Sequence, residues 1–228
     1  YIEFKNVNKI YDKNTNFKVL KKITFEIEKS EFITITGAKA SGKTTLLNLL
    51  NKTLNVTSGS ILVDNYDITN FNNKQATKYR KEVVSSCLKG FSLISNLTVK
   101  ENIELLEKEN DKKNINIIIK KLGLTKVENK FPSELSSSYA KLADIARSLA
   151  KKPSIILFDE LDLHDKKDLK NVFTLLFNMI KKDNLTVIMI TENPDIISLS
   201  NKVITLKNGA IDNIKINKKP KLVGDLNW

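Results

Sequence analysis

The rhythm of apolar and polar positions changes several times along the chain. It opens on alternation: Ile2-Glu3-Phe4-Lys5-Asn6-Val7 and Ile23-Thr24-Phe25-Glu26-Ile27 read as half-buried strands. Asn14-Thr15-Asn16 is the expected turn between them. Three later runs are almost continuously apolar and β-branched: Phe32–Thr36, Ser154–Phe158 and Thr186–Ile190. Such short runs read as buried strands. Thr45–Leu50 reads as a helix, Thr57-Ser58-Gly59 as a turn, Ser60–Val63 as a strand and residues 72–82 as a polar surface helix. From Leu97 the spacing becomes helical. Ile103, Leu106, Ile115, Ile117, Ile118, Ile119 and Leu122 are placed for buried faces, with Gly123 as a C-cap. Phe131-Pro132-Ser133 breaks the chain. A helix over Tyr139–Leu149 then carries Leu142, Ile145, Ala146 and Leu149 on one face. Leu169, Val172, Phe173, Leu176 and Ile180 mark a further helix. A terminal hairpin joins Val203–Leu206 to Ala210-Ile211 through Lys207-Asn208-Gly209.

Strands alternating with helices imply an α/β fold with a mainly parallel sheet. The alternating opening adds a small antiparallel β-lobe. The expected organisation is one domain over residues 1–228: a core from 1–88 and 145–214, a helical insert over 89–144, and a loose basic tail over 215–228.

Composition bounds the partners. The chain has 228 residues, and hydrophobic residues make up 41%, enough for a large core. A net charge of +12 fits nucleic acid, an anionic membrane face, or simply a lysine-rich surface. Lysines are spread along the whole chain, and no arginines interleave with aromatics to stack on bases. No nucleic-acid partner is therefore expected. The single cysteine, Cys87, excludes an internal disulfide and reads as a small core residue in a reducing compartment. No signal-peptide pattern is present, and no apolar run approaches the roughly 20 residues of a membrane helix. The start at Tyr1 rather than methionine is what a trimmed chain would show.

The chemistry centres on Gly37-Ala38-Lys39-Ala40-Ser41-Gly42-Lys43-Thr44, followed by Thr45. It fits the G-x-x-x-x-G-K-[ST] phosphate loop and sits between a predicted strand and a predicted helix, the context that motif requires. Glycines let backbone N–H groups close around phosphate oxygens at a helix N-terminus. Lys43 then reaches the β- and γ-phosphates and Thr44 holds Mg²⁺. Downstream, a buried apolar run ends in Asp159-Glu160. Asp159 is the candidate second Mg²⁺ ligand, and Glu160 the candidate base that polarises water. ATP and Mg²⁺ are the implied ligands.

With these motifs in place, the sequence resembles the nucleotide-binding subunit of ABC transporters, in particular the macrolide-exporter, lipoprotein-release and cell-division type. The similarity runs from Ile2 to Asp212. It rests on the two motifs together with Thr57–Ile61, Asn96–Ile103, Ile145–Leu149 and Thr186–Thr191. It implies a P-loop ATPase core that dimerises head to tail, with ATP between one chain's phosphate loop and the other's signature. It also implies a permease partner, a place on the cytoplasmic face of the membrane, and Tyr11 as the aromatic that stacks on adenine.

Several positions depart from that family pattern. The metal-contacting glutamine is replaced by Lys89, since the only glutamine is Gln75. The Leu-Ser-Gly-Gly-Gln signature is replaced by Leu135-Ser136-Ser137-Ser138-Tyr139. Serines keep the N–H groups but add Cβ atoms that obstruct close approach. The γ-phosphate histidine is replaced by Glu192, whose charge would repel that phosphate. The segment Leu161–Asp165 is one residue short, and His164, the only histidine, reads as a surface loop residue. Three functions stay open: a transporter motor subunit, homo- or heterodimeric; a degenerate member that binds ATP but turns it over poorly; and a soluble nucleic-acid-associated ATPase. A guanine switch is disfavoured, because Asn201-Lys202-Val203-Ile204 lacks the aspartate that reads guanine.

Overall fold

The structure is a computed structural model, and it describes residues 1–11, 17–88, 93–106 and 112–228. The strands are β1 (Ile2–Ile10), β2 (Lys18–Ile27), β3 (Phe32–Thr36), β4 (Ser58–Val63), β5 (Tyr66–Asp67), β6 (Val84–Cys87), β7 (Ile155–Asp159), β8 (Thr186–Ile190), β9 (Lys202–Lys207) and β10 (Ala210–Ile216). The helices are α1 (Lys43–Leu50), α2 (Asn73–Glu82), α3 (Val99–Glu104), α4 (Lys112–Lys121), α5 (Ser137–Ala150), α6 (Lys166–Asp183) and α7 (Pro194–Ser198).

The strands form two sheets. An antiparallel sheet runs β2-β1-β4-β5, and a larger sheet runs β10-β9-β3-β8-β7-β6. All pairings within β9-β3-β8-β7-β6 are parallel, and β10 closes one edge as the antiparallel arm of a hairpin. Strands β3, β7 and β8 are buried at every position. Parallel strands covered on both faces have no solvent side to alternate with, which is why their sequences read as continuous apolar runs.

The alternation still operates within the core, because successive side chains point to opposite faces. Ile156, Phe158, Val187 and Met189 join the core beneath α3–α6. Their neighbours Ile155, Leu157, Ile188 and Ile190 join the core shared with α1, α2 and the antiparallel sheet. Cys87 lies in the first of these cores, where burial pushes its thiol up to about 12. A thiol that protonated is an inert packing group.

Local signals explain most helix boundaries. Asn72 and Gln75 form a capping box at the start of α2, and Thr98 and Glu101 form one at the start of α3. Gly123 takes a φ of +70° after α4. Asn102, fully buried, receives the N–H of Ile94 and donates to the carbonyls of Ile94, Leu97 and Thr98, which ties α3 to the loop before it.

Some expectations need correction. Ser58 and Gly59 lie within β4 rather than in a turn, because Ser58 pairs with Asn8 near the end of β1. Ile117 is exposed, since Ile115, Ile118, Ile119 and Leu122 already fill the buried stripe of α4. The C-terminal residues are not loose. Lys215 lies in β10, and the N–H of Lys221 donates to Ser198. Trp228 stacks on Phe173 with ring centroids 5.6 Å apart and donates its indole N–H to the carbonyl of Val223. Leu226 is buried beside it. Apolar side chains among the lysines give this segment area to bury, which offsets the entropy lost on ordering it. The predicted turn at Asn14-Thr15-Asn16 and the substituted position Lys89 both lie outside the described residues.

Candidate functional site

The phosphate loop spans the gap between the end of β3 and the start of α1. Its glycines are there for definite steric reasons. At Gly37, φ is +135°, and a Cβ would lie 2.1 Å from the carbonyl oxygen of Leu206. At Gly42, φ is +100°, and a Cβ would lie 2.6 Å from Leu20 Cδ2. Neither position tolerates a side chain without moving its neighbours. The loop is thus moulded by β9 on one side and β2 on the other.

Gly42 is also the N-cap of α1, and no side chain accepts from the first turn of that helix. Its leading N–H groups have no intrahelical partner by construction, so they form a receptor for an anion. Ser41 lies within the loop with its hydroxyl buried and without a hydrogen-bond partner. An orphaned buried hydroxyl costs free energy until something bonds to it, as expected of a loop built around a polar ligand.

Lys43 donates through Nζ to the carbonyls of Gly37 and Ala38, 3.0 Å in the second case, and lies 3.6 Å from Glu192 Oε1. The hydroxyl of Thr44 donates to Asp159 Oδ2 at 3.0 Å, across 115 residues of sequence. Asp159 ends the buried strand β7 and is 3% exposed. A hydroxyl and a carboxylate converging in this way form a hard-oxygen pair suited to Mg²⁺. Glu160, next to Asp159, is exposed and turns into the left-handed region at φ +63°. That conformation is costly for a non-glycine residue and directs the chain away from the strand just after the carboxylate pair.

Tyr11 lies beside the loop and is 56% exposed. Its phenol hydroxyl is 3.1 Å from Thr45 Oγ1, and Lys9 Nζ lies over its ring at 5.3 Å. An aromatic face held next to a phosphate loop suits a nucleobase. Gly37, Ala38, Lys39, Ala40 and Ser41 line a cleft of about 360 Å³ closed by Thr205–Asn208 and Asp212. The contribution of the β9–β10 hairpin had no signal in the sequence, since only the sheet order brings β9 beside β3.

Ser136, Ser137 and Ser138 open α5 in another part of the molecule. Ser136 is its N-cap, and its hydroxyl accepts from the N–H of Tyr139 at 3.4 Å. His164 is 90% exposed at its side chain and lies 3.5 Å from Asp162. Glu192 does more than face the loop. Its Oε1 accepts from the Gly37 N–H at 2.9 Å. Its relation to the loop is attractive in this structure, a contact that the expectation of simple phosphate repulsion did not include.

Known proteins share both sequence and shape with this chain. Residues 20–162 match the family model described as ABC transporter. The chain is 35% identical over 236 residues to the putative ABC transporter ATP-binding protein MG065 homolog of Mycoplasma pneumoniae, an alignment covering 100% of this chain and 50% of that protein. It thus spans about half the length of the mycoplasma relatives it matches. It is 33% identical to the bacitracin export ATP-binding protein BceA of Halalkalibacterium halodurans, covering 92% of this chain and 86% of that one. The dimeric ATP-binding cassette MJ0796, solved in a post-hydrolysis state with ADP and Pi, superposes with a TM-score of 0.87 at 28% identity, covering 95% and 98% of the two chains. By this combination of sequence match, shared fold and phosphate-loop geometry, the chain belongs to the ABC transporter ATP-binding family.

Proposed function

We propose that this chain binds ATP with Mg²⁺ and acts as the nucleotide-binding unit of an ABC transporter or related membrane complex, with weak hydrolysis of its own. The observation that carries the nucleotide reading is the hydrogen bond from Thr44 to Asp159 beside Lys43. It unites two motifs far apart in sequence into one phosphate and metal site. Lys43 and the backbone of Ala38–Gly42 bind the phosphates, Tyr11 stacks on the base, and Thr44 and Asp159 hold the ion. Held there by Thr44 and Asp159, Mg²⁺ would neutralise the charge that develops on the phosphates. Glu160 polarises the attacking water.

The dimeric MJ0796 cassette supports dimerisation. The family resemblance makes that pair head to tail, with Ser136–Ser138 of one protomer approaching the nucleotide of the other. That pair is homo- or heterodimeric, and Glu192 and the serine-rich signature lower its hydrolytic power. The bacitracin exporter subunit supports a permease partner. No helix among the described residues is long and apolar enough to cross a membrane. The proposed place of the chain is the cytoplasmic face, against that permease. A thermal-shift titration with ATP and Mg²⁺ tests the binding. Ligand at 100 times its dissociation constant adds about 2.7 kcal/mol. No shift in the parent protein overturns the reading.

A further inference from the structure

Glu192 lies two residues beyond the end of β8. β8 lies next to β3, and the N–H of Thr191 still donates to the carbonyl of Ile35 at 3.2 Å. This register carries Glu192 to the first glycine of the phosphate loop, from which it is separated by 155 residues. Its Oε1 takes the Gly37 N–H at 2.9 Å and stands 3.6 Å from Lys43 Nζ. Lys43 also donates to the carbonyls of Gly37 and Ala38. A lysine ammonium has three N–H donors. Two carbonyls take two of these donors, and the Glu192 carboxylate stands at ion-pair distance from the same ammonium.

We infer that Glu192 is an internal anion standing in for the terminal phosphate, so that this site favours a nucleoside diphosphate over the triphosphate. The inference deepens the nucleotide reading and rests on it. Entry of any nucleotide draws Lys43 toward phosphate oxygens. A diphosphate brings its charge into the loop between β3 and α1. Lys43 is the group that meets the β- and γ-phosphates, so a triphosphate adds a further charge at the ammonium that Glu192 already faces. Either the terminal phosphate shares Lys43 with a carboxylate of like charge, or the carboxylate must leave the Gly37 N–H and Lys43. The Lys43 side chain is only 12% exposed and does not move out to solvent with it, whereas that of Glu192 is 62% exposed and has water to swing into. Solvent screening of a group so exposed keeps the discrimination moderate, at about 3–10-fold.

The test is calorimetric titration of the parent, Glu192→Gln, Glu192→Ala and Lys43→Ala with Mg–ADP and Mg–ATP. Gln keeps an oxygen for the Gly37 N–H but removes the charge, and Ala removes both. Both variants should bind ATP about 3–10-fold more tightly, with ADP affinity changed less than about twofold. ADP binding by the parent that Lys43→Ala abolishes reports on the nucleotide reading by itself. If the parent binds ADP but the two Glu192 variants shift both nucleotides equally, or weaken ATP, the inference fails and the nucleotide reading stands. If the parent binds no ADP, both fail.

Discussion

Helices α1 and α5 both begin at positions where the family resemblance places a nucleotide phosphate, one for the chain's own nucleotide and one for its partner's. Their first turns are built differently. Helix α1 begins after Gly42 in a left-handed conformation, and no side chain caps it. Helix α5 begins after Ser136, an extended N-cap whose hydroxyl takes the N–H of Tyr139. A helix start without a side-chain cap leaves its amides and the positive end of its dipole to a ligand. A self-capped start satisfies one of those amides internally and is stable without a ligand. Glycines are retained where they shape α1's loop and are missing where a second phosphate contact would need them at α5. The molecule thus keeps an open, anion-ready helix start at α1 and a self-capped, largely structural one at α5.

The largest test of that contrast is catalytic. The parent is expected to turn over ATP near background, and Glu160→Gln should change that rate little. Rebuilding the partner-facing half with Ser137→Gly, Ser138→Gly and Tyr139→Gln, together with Glu192→His, should raise steady-state turnover by about 10²–10³, the effect of one restored transition-state stabiliser. Glu160→Gln in the rebuilt chain should then remove the gain. Robust turnover by the parent that Glu160→Gln abolishes would mean that the difference between the two helix starts has no catalytic consequence.

The next effect isolates the α1 side. Lys43→Ala should remove the nucleotide-dependent stabilisation of about 2.7 kcal/mol at 100-fold saturation, read as a lost thermal shift. Ser137→Gly should leave that shift intact in the monomer. If the two variants behave alike, the α1 and α5 ends do not have separate roles. Tyr11→Ala should then cost about 0.5–1.5 kcal/mol of ATP affinity, the worth of an aromatic stacking contact. Binding of inorganic triphosphate, which has no base to stack, should be unchanged. Equal loss for both ligands would assign Tyr11 to holding Thr45 rather than to the base.

What the sequence disclosed follows from how local each cause is. β3, β7 and β8 were legible because burial on both faces leaves continuous apolar runs. The phosphate loop was legible because its chemistry is contiguous. The Glu192 contact was not, because it depends on β8 lying next to β3 and on a register that no single segment encodes. Leu206 behind Gly37 was hidden for the same reason, since β9 reaches β3 only through the sheet order. Ile117 was misplaced because five isoleucine and leucine positions competed for one helix face, and periodicity alone does not say which is surplus. At the C-terminus, lysine content masked the two residues that dock it, Leu226 and Trp228.

The smallest effect bears on the α5 side alone. If Ser136 makes this helix start self-sufficient, Ser136→Ala should destabilise the folded chain by about 0.5–1 kcal/mol, the low end of the range for losing an N-cap, because its 3.4 Å bond is long. Ser136→Gly should cost only a few tenths, since glycine leaves the N–H groups open to water. Denaturant unfolding with unchanged slope would assign the difference to the folded state. The Ala and Gly variants separate capping from bulk: a general packing role would make Gly the worse of the two. Neither change touches α1, so neither should alter the nucleotide-induced thermal shift. A stability loss from Ser136→Ala that also weakened nucleotide binding would show that the two helix ends are coupled within one protomer, and the contrast between a receptor end and a structural end would no longer hold.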